Sequence, residues 1–157
     1  MISPSARLLI ARLASAGDAQ NGYVMRRVDA TPSGDSYTID LPEIARYCEK
    51  GGKPAFSYDE RWMVFHHYVT DADAVELGYS GATDPAFAQY RSKGAANLYL
   101  LDLKTGDKTR LTDVAPGQYA LYPHFRSDGW IYFLVRTLAQ TDEVVAATDA
   151  ALVVGGE

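Results

Sequence analysis

The chain has 157 residues, 47% of them hydrophobic and 22% charged, with a formal net charge of −5. These values suit a single soluble globular domain that spans residues 1–157 and buries its own core. The acidic balance argues against a nucleic-acid partner, because proteins of that class present a basic stripe. No apolar run approaches the roughly 20 residues that cross a bilayer, so no membrane span is predicted.

Aromatic and cysteine content narrows the fold class further. Eleven tyrosines and two tryptophans favour β-sheet, because flat aromatic side chains pack well on pleated surfaces. Cys48 is the single cysteine, which excludes an internal disulfide and a Cys-rich metal site, and a buried thiol is expected. Residues 1–7 lack the basic and apolar segments of a signal peptide.

Short strands are predicted at the start of the chain. Residues 7–13 fit a strand or a helix, and a strand is preferred. Turn signals at residues 17–18 and 21–22 separate it from a strand at residues 23–28, and the two strands are predicted to pair as a hairpin.

A second hairpin and a helix are predicted next. A polar turn at residues 31–35 is expected to join the strand at residues 23–28 to another at residues 36–39. Residues 42–50 predict a short helix, with Pro42 in its first turn and Gly51 as its left-handed stop.

An internal repeat organises the rest of the chain. Residues 54–65 and 122–133 each predict a short strand, a tight turn and an apolar strand. Matching positions are Pro54 and Pro123, Phe56 and Phe125, Asp59 and Asp128, Trp62 and Trp130, and Phe65 and Phe133. Asp59, Asp128 and Gly129 are predicted to be structural turn residues, because an aspartate can accept backbone N–H bonds and fix a turn.

Between the two copies lies an insertion at residues 70–94. Asp84 is predicted to cap a helix that begins at Pro85 and ends at Gly94. A strand is predicted next at residues 97–103, with an exposed partner strand at residues 108–112. The tail at residues 142–154 is compatible with helix or strand.

The spaced motifs resemble those of a known repeat. Their order is Pro-x-Phe, an Asp turn, Trp-x-x-Phe, Asn-x-Tyr-x-x-Asp-x-x-x-Gly and Arg-Leu-Thr. This order resembles the repeat of TolB-like β-propellers, a WD40-like family with PD40-type repeats. One full repeat spans residues 54–112 and half repeats flank it, so the resemblance covers most of residues 7–136. Tyr58, Glu60 and Arg126 depart from the family pattern, which has proline, glycine and serine there.

The resemblance implies an all-β fold of propeller-like antiparallel blades with short inserted helices. Closed propellers have four to eight blades of about 40 residues, whereas this chain supplies roughly two and a half repeats. We therefore expect a partial or open propeller that belongs to a longer chain, with a homo-oligomer or an open stack of sheets as the alternatives. The family also implies a bacterial, periplasmic or otherwise extracytoplasmic setting.

Strand parity predicts a ligand-binding group in the second copy. If Phe125 faces a neighbouring blade, Tyr122, His124 and Arg126 share the other side of the strand, which lines the channel in a propeller. The alternative is that Tyr122 only packs and Arg126 pairs with an acid such as Asp128.

The three histidines are candidates for a metal site. His66 and His67 are adjacent, so they point to opposite faces of a strand, and one of them would have to join His124 and a carboxylate. Ordinary hydrogen-bonded histidines are favoured, so no metal and no cofactor is predicted. Residues 78–82 approach a nucleophile elbow but lack its final glycine, so no catalytic residue is predicted.

These patterns predict a non-catalytic interaction module with a protein or peptide partner. The alternative is the propeller of a prolyl-oligopeptidase-type hydrolase, which would gate substrate to a separate catalytic domain. A Gly-x-Ser-x-Gly domain in the parent reading frame would favour the hydrolase, whereas a signal peptide and further repeats would favour the interaction module.

Overall fold

A computed structural model describes residues 1–13, 22–139 and 143–155. The fold is mostly β, and its sheets are largely antiparallel, which confirms the predicted class at this level. The strands are β1 (Leu8–Leu13), β2 (Gly22–Arg27), β3 (Asp29–Ser33), β4 (Ser36–Asp40), β5 (Glu43–Tyr47), β6 (Gly52–Phe56), β7 (Trp62–Tyr68), β8 (Ala96–Asp102), β9 (Lys108–Arg110), β10 (Gln118–Phe125), β11 (Ile131–Thr137) and β12 (Glu143–Thr148). The helices are α1 (Pro85–Lys93) and α2 (Ala150–Gly155), with a 3-10 turn at Asp71–Asp73. None of the helices in the described ranges is both long and apolar enough to cross a membrane.

The strands form three groups and one separate ribbon. Group 1 is a sheet in the order β1-β2-β5. Group 2 comprises β6, β7, β8 and β9, and group 3 comprises β10, β11 and β12. Groups 2 and 3 belong to one continuous sheet, but they join only where Tyr119 of β10 pairs in parallel with Ala96 of β8. β3 and β4 pair with each other as a hairpin.

Both faces of group 2 are buried, because the side chains of β7 and β8 alternate between two cores. The core shared with group 3 contains Ala55, Trp62, Val64, Leu98, Leu100, Ala120, Phe125, Ile131, Phe133 and Ala151. The core shared with group 1 contains Ile10, Tyr23, Met25, Tyr47, Phe56, Met63, Phe65, Tyr99 and Leu101. Group 2 is therefore the central layer of the molecule.

The insertion has a small core of its own, and its helix confirms the prediction. Asp84 caps α1 by accepting the backbone N–H of Ala86 at 2.8 Å, and Gly94 ends the helix. Phe87 and Tyr90 are buried against the start and end of the insertion. The insertion thereby covers one end of β7 and β8.

The helix predicted at residues 42–50 is wrong, because this segment contains β5. Tyr47 pairs with Tyr23 of β2, and its hydroxyl donates to the Leu103 carbonyl at 2.6 Å. Pairing with the open edge of β2 provides partners for the backbone hydrogen-bonding groups and buries Tyr47. These gains outweigh the local preference of Pro42 and Gly51 for the start and end of a helix. The buried thiol was also wrongly predicted, since Cys48 is exposed just beyond the strand.

The pairing predicted between residues 23–28 and 36–39 is also wrong. β2 lies between β1 and β5, whereas β4 pairs with β3, so the predicted turn is shortened to residues 34–35. The first four residues of β2 are buried and need neighbours on both sides, whereas β4 is exposed throughout. The hairpin of β1 and β2 is confirmed, although its predicted turn signals at residues 17–18 and Asn21 lie outside the described residues.

The remaining strands agree with the sequence-based predictions. Both repeat copies form strand, turn and strand, and β8 pairs with the short exposed strand β9 as predicted. The tail, for which helix and strand were both open, contains each in turn as β12 and α2.

Candidate functional site

The first strand of each group contributes to one cleft. β1, β6 and β10 line this space of about 670 Å³ together with the end of β7. Its polar and aromatic wall consists of Arg12, Lys53, His66, Tyr68 and Tyr122, and we call it the basic cleft.

Two strained residues face each other in the basic cleft. Lys53 and Tyr122 have φ angles of 50° and 53°, which non-glycine residues rarely adopt. Each lies at a register shift of its strand and immediately precedes the repeat proline, Pro54 or Pro123. The Lys53 Nζ lies 6.0 Å from the centroid of the Tyr122 ring. Irregular strand positions of this kind re-aim side chains and are frequent beside functional sites.

His66 connects β7 to this irregular part of β10. Its Nδ1 accepts the backbone N–H of Tyr122 at 3.3 Å, and its ring meets those of Tyr122 and Tyr68 edge-on at 5.6 and 5.5 Å. Burial, followed by the positive charges of Arg12 and Lys53, lowers the pKa of His66 to about 4. The imidazole is therefore neutral near pH 7 and keeps its acceptor for the Tyr122 amide.

The basic cleft continues into an adjoining hollow of about 240 Å³. Arg12, His66 and Tyr68 line both spaces, and the hollow adds Lys50. Among the described residues, no aspartate or glutamate lines either space. The surface here is positive although the whole chain carries a net charge of −5.

The three residues predicted as a ligand-binding group line different hollows. Tyr122 lies in the basic cleft, whereas His124 lines a neighbouring space with its ring 6.1 Å from that of Tyr132. Arg126 pairs with Asp128 at 3.1 Å and donates to the Tyr132 hydroxyl at 2.8 Å. The register shift at Tyr122 breaks the simple alternation on which the predicted grouping depended.

The candidate metal residues do not converge. His66 bonds to the Tyr122 amide, and His124 contacts Tyr132. His67 faces the other side of β7, where its Nε2 lies 2.9 Å from the Asp73 Oδ2. Within the part of the chain that the structure describes, no group of three His, Cys, Asp or Glu side chains could hold a metal ion.

Asp73 links the start of the insertion to β7 by hydrogen bonds. Its Oδ2 accepts the backbone N–H and the hydroxyl of Thr70 at 2.6 and 2.8 Å, as well as the bond with His67. Burial opposes ionisation, but these hydrogen bonds prevail and lower the pKa of Asp73 to about 2. Exposed Cys48 lines a hollow of about 160 Å³ with this pair. Three hydrogen bonds converge on the Asp73 Oδ2, which suits a structural role.

The two repeat turns face each other across a hollow of about 430 Å³. Asp59 accepts the Arg61 N–H at 3.1 Å, and Asp128 accepts the Trp130 N–H at 3.2 Å. The residue after each aspartate has a positive φ, which is 85° at Gly129 and 59° at its counterpart Glu60. These contacts place both aspartates within the turns themselves.

Ser80, in the segment that approaches a nucleophile elbow, has a local partner. Its hydroxyl donates to the Asp84 Oδ2 at 2.9 Å, and its backbone N–H donates to the same oxygen at 3.1 Å. This arrangement fixes the turn that leads into α1.

Sequence reasoning missed Arg12, Lys53 and Tyr68 as cleft residues. The sequence contained one signal for Lys53: it precedes the repeat proline in the first copy, at the position that Tyr122 occupies in the second copy. Arg12 and Tyr68 carried no comparable signal, because only the packing of β1 and β7 around β10 brings them here. No protein-family model matches the chain, and no curated protein matches its sequence.

Proposed function

We propose that the chain is a non-catalytic binding module of TolB-like β-propeller type, and that its basic cleft holds a short peptide segment of a partner protein. The observation that carries this proposal is the convergence of β1, β6 and β10 on one cleft. Innermost strands line the central channel of a propeller in the same way.

The burial pattern supports a propeller-like arrangement. Group 2 packs one apolar face on group 1 and the other on group 3, as a blade does between its neighbours. On this proposal the three groups are successive blades of a partial propeller, completed by a further part of the parent protein or by a second copy.

The chemistry of the cleft favours holding a ligand. Its wall combines two cations, a neutral imidazole and two phenol rings, and Tyr122 remains 45% exposed. Exposed aromatic side chains supply large contact areas at low entropic cost, which is typical of peptide-binding surfaces. The adjoining hollow extends the same wall, so an extended segment has room on both sides of His66.

Selection of displayed peptides on the immobilised chain tests the proposal. Enriched peptides should shift the amide resonances of β1, β6 and β10 in the 15N-labelled chain. Tyr122→Asn removes an aromatic ring from the cleft wall, and asparagine tolerates the positive φ at this position. The variant should bind the peptides about tenfold more weakly, as for loss of an aromatic contact at an interface.

Tyr37→Asn is the matched control, because Tyr37 is 67% exposed on the separate β3–β4 hairpin. This variant should bind as the wild type does. Peptides that shift resonances only outside the cleft, or that bind both variants equally, would contradict the proposed function.

A further inference from the structure

Two cations of the basic cleft, Arg12 and Lys53, have no acidic partner within the described ranges of the chain. Ion pairs elsewhere in the described residues include Arg27 with Asp29 at 2.7 Å and Lys108 with Glu49 at 3.1 Å. Neither Arg12 nor Lys53 forms an ion pair with another described residue. In an acidic chain, two cations on a wall with no carboxylate among its described residues leave a local charge that a ligand can match.

The position of Lys53 is determined by its backbone. Its positive φ and the register shift in β6 turn the side chain toward Tyr122, where the Nζ lies 6.0 Å from the ring centroid. Arg12 reaches the same space from β1, and both cations influence His66 electrostatically. An anionic group placed between the two strands would meet both cations at once.

His66 adds no positive charge of its own near pH 7, since burial and these neighbours keep it neutral. Tyr68 and Tyr122 supply apolar ring surface beside the two cations. A glutamate or aspartate side chain combines the two requirements, with a carboxylate for the cations and methylene groups for the rings.

We infer that the peptide segment held by the basic cleft is acidic, with one side-chain carboxylate between Arg12 and Lys53. This inference rests on the proposed function and names the class of partner. The partner presents an Asp- or Glu-bearing extended segment, and the charge match adds to selectivity and to the rate of encounter.

The test uses the full 15N-labelled chain and two blocked peptides, one of glutamates around a tyrosine and one with each glutamate replaced by glutamine. The glutamate peptide should shift the amides of Arg12, Lys53 and Tyr122, and added salt should weaken its binding. The glutamine peptide should bind about tenfold more weakly, the loss expected for a charge-assisted hydrogen bond.

Substitutions test whether Arg12 and Lys53 supply the positive charge that binds the peptide. Arg12→Gln and Lys53→Asn should each weaken the glutamate peptide about tenfold, and asparagine tolerates the positive φ of Lys53. Lys104→Asn is the matched control, because Lys104 is an exposed cation in the turn between β8 and β9. Unchanged amide spectra away from the cleft verify that each variant folds.

Four results would overturn the inference. Equal binding of both peptides at the cleft would refute acidic recognition and leave the proposed function standing. Equal weakening by Lys104→Asn would indicate general attraction to the chain. Equal shifts with inorganic phosphate at the same concentration would indicate a small-oxyanion site. If neither these peptides nor the displayed ones shift cleft resonances, the inference and the proposed function both fail.

Discussion

At the scale of single residues, His66 links stability to the candidate site. His66 is 5% exposed, its Nδ1 accepts the backbone N–H of Tyr122, and its ring contacts those of Tyr68 and Tyr122. A protonated imidazole would lose this acceptor and would place a third charge beside Arg12 and Lys53. The geometry of the basic cleft therefore depends on a neutral ring.

This dependence predicts acid sensitivity. The pKa of His66 is about 4 in the folded chain and 6.5 ordinarily, so the unfolded chain takes up the proton first as pH falls. The resulting stability is fully present above pH 6.5 and is lost as pH falls through 4, at a cost of about 3 kcal/mol. His66→Asn keeps an acceptor but cannot titrate. Urea unfolding at pH 7, 5.5 and 4.5 should therefore show a flatter profile for this variant.

His124→Asn is the control, because the His124 side chain is exposed and its ring lies 6.1 Å from that of Tyr132, outside the basic cleft. Its profile should follow that of the wild type. An unchanged acid loss in His66→Asn would show that another group is responsible for it.

At the scale of elements, the repeat turns differ in how firmly they are held. Asp59 accepts bonds from the Arg61 N–H and the Ser57 hydroxyl, and the Ser57 Oγ also accepts the Trp62 N–H at 2.9 Å. The Asp128 side chain accepts a single backbone bond, from the Trp130 N–H at 3.2 Å, and forms an exposed pair with Arg126. The first turn is thus the more connected of the two.

Asp59→Ala should therefore lower the free energy of unfolding by about 1–2 kcal/mol, as for the loss of a capping side chain. Asp128→Ala should cost less, because fewer hydrogen bonds are lost and the pair with Arg126 is exposed. Asp59→Asn keeps one acceptor oxygen and should lie close to the wild type. Urea denaturation at pH 7 measures all three, and equal losses for both alanine variants would contradict the ranking.

The elements also show what sequence could predict. The strands of both repeat copies and α1 followed from alternation, Asp84 and Gly94, because these signals are local. β5 was not predicted, because Pro42 and Gly51 are typical of the start and end of a helix. Its partner β2 is remote in sequence, so no local signal indicates the pairing. Of the cleft residues, the sequence indicated Tyr122 as a binding residue and His66 only as a metal candidate, because the cleft depends on strands that meet after folding.

At the scale of the whole molecule, group 2 makes the two large cores interdependent. Phe65 is fully buried, with its ring centroid 5.5 Å from that of Tyr23 and 5.8 Å from that of Tyr99. Its neighbour along β7, Val64, lies in the opposite core with Trp62. Loss of order on one face of β7 therefore removes support from the other face, and we expect the three groups to unfold together.

The β3–β4 hairpin is the contrasting element, because it contributes no residue to any core. Nine of its ten strand residues are exposed, and Asp29 and Asp40 pair directly at its base. Its strands contact each other, and its removal leaves β2 paired with β1 and β5. A hairpin of this kind adds backbone order without burying apolar surface, so its net contribution to stability should be small.

One experiment compares the two contributions. Phe65→Ala should lower the free energy of unfolding by about 3–5 kcal/mol, the range for removal of a buried phenyl ring. Replacing residues 30–39 by two glycines should change it by less than about 1 kcal/mol, because the new two-residue turn joins positions that already pair.

With Trp130→Phe as background, Trp62 fluorescence reports the core opposite to Phe65. In Phe65→Ala its midpoint should fall together with that of circular dichroism, whereas separate midpoints would mean that the groups unfold independently.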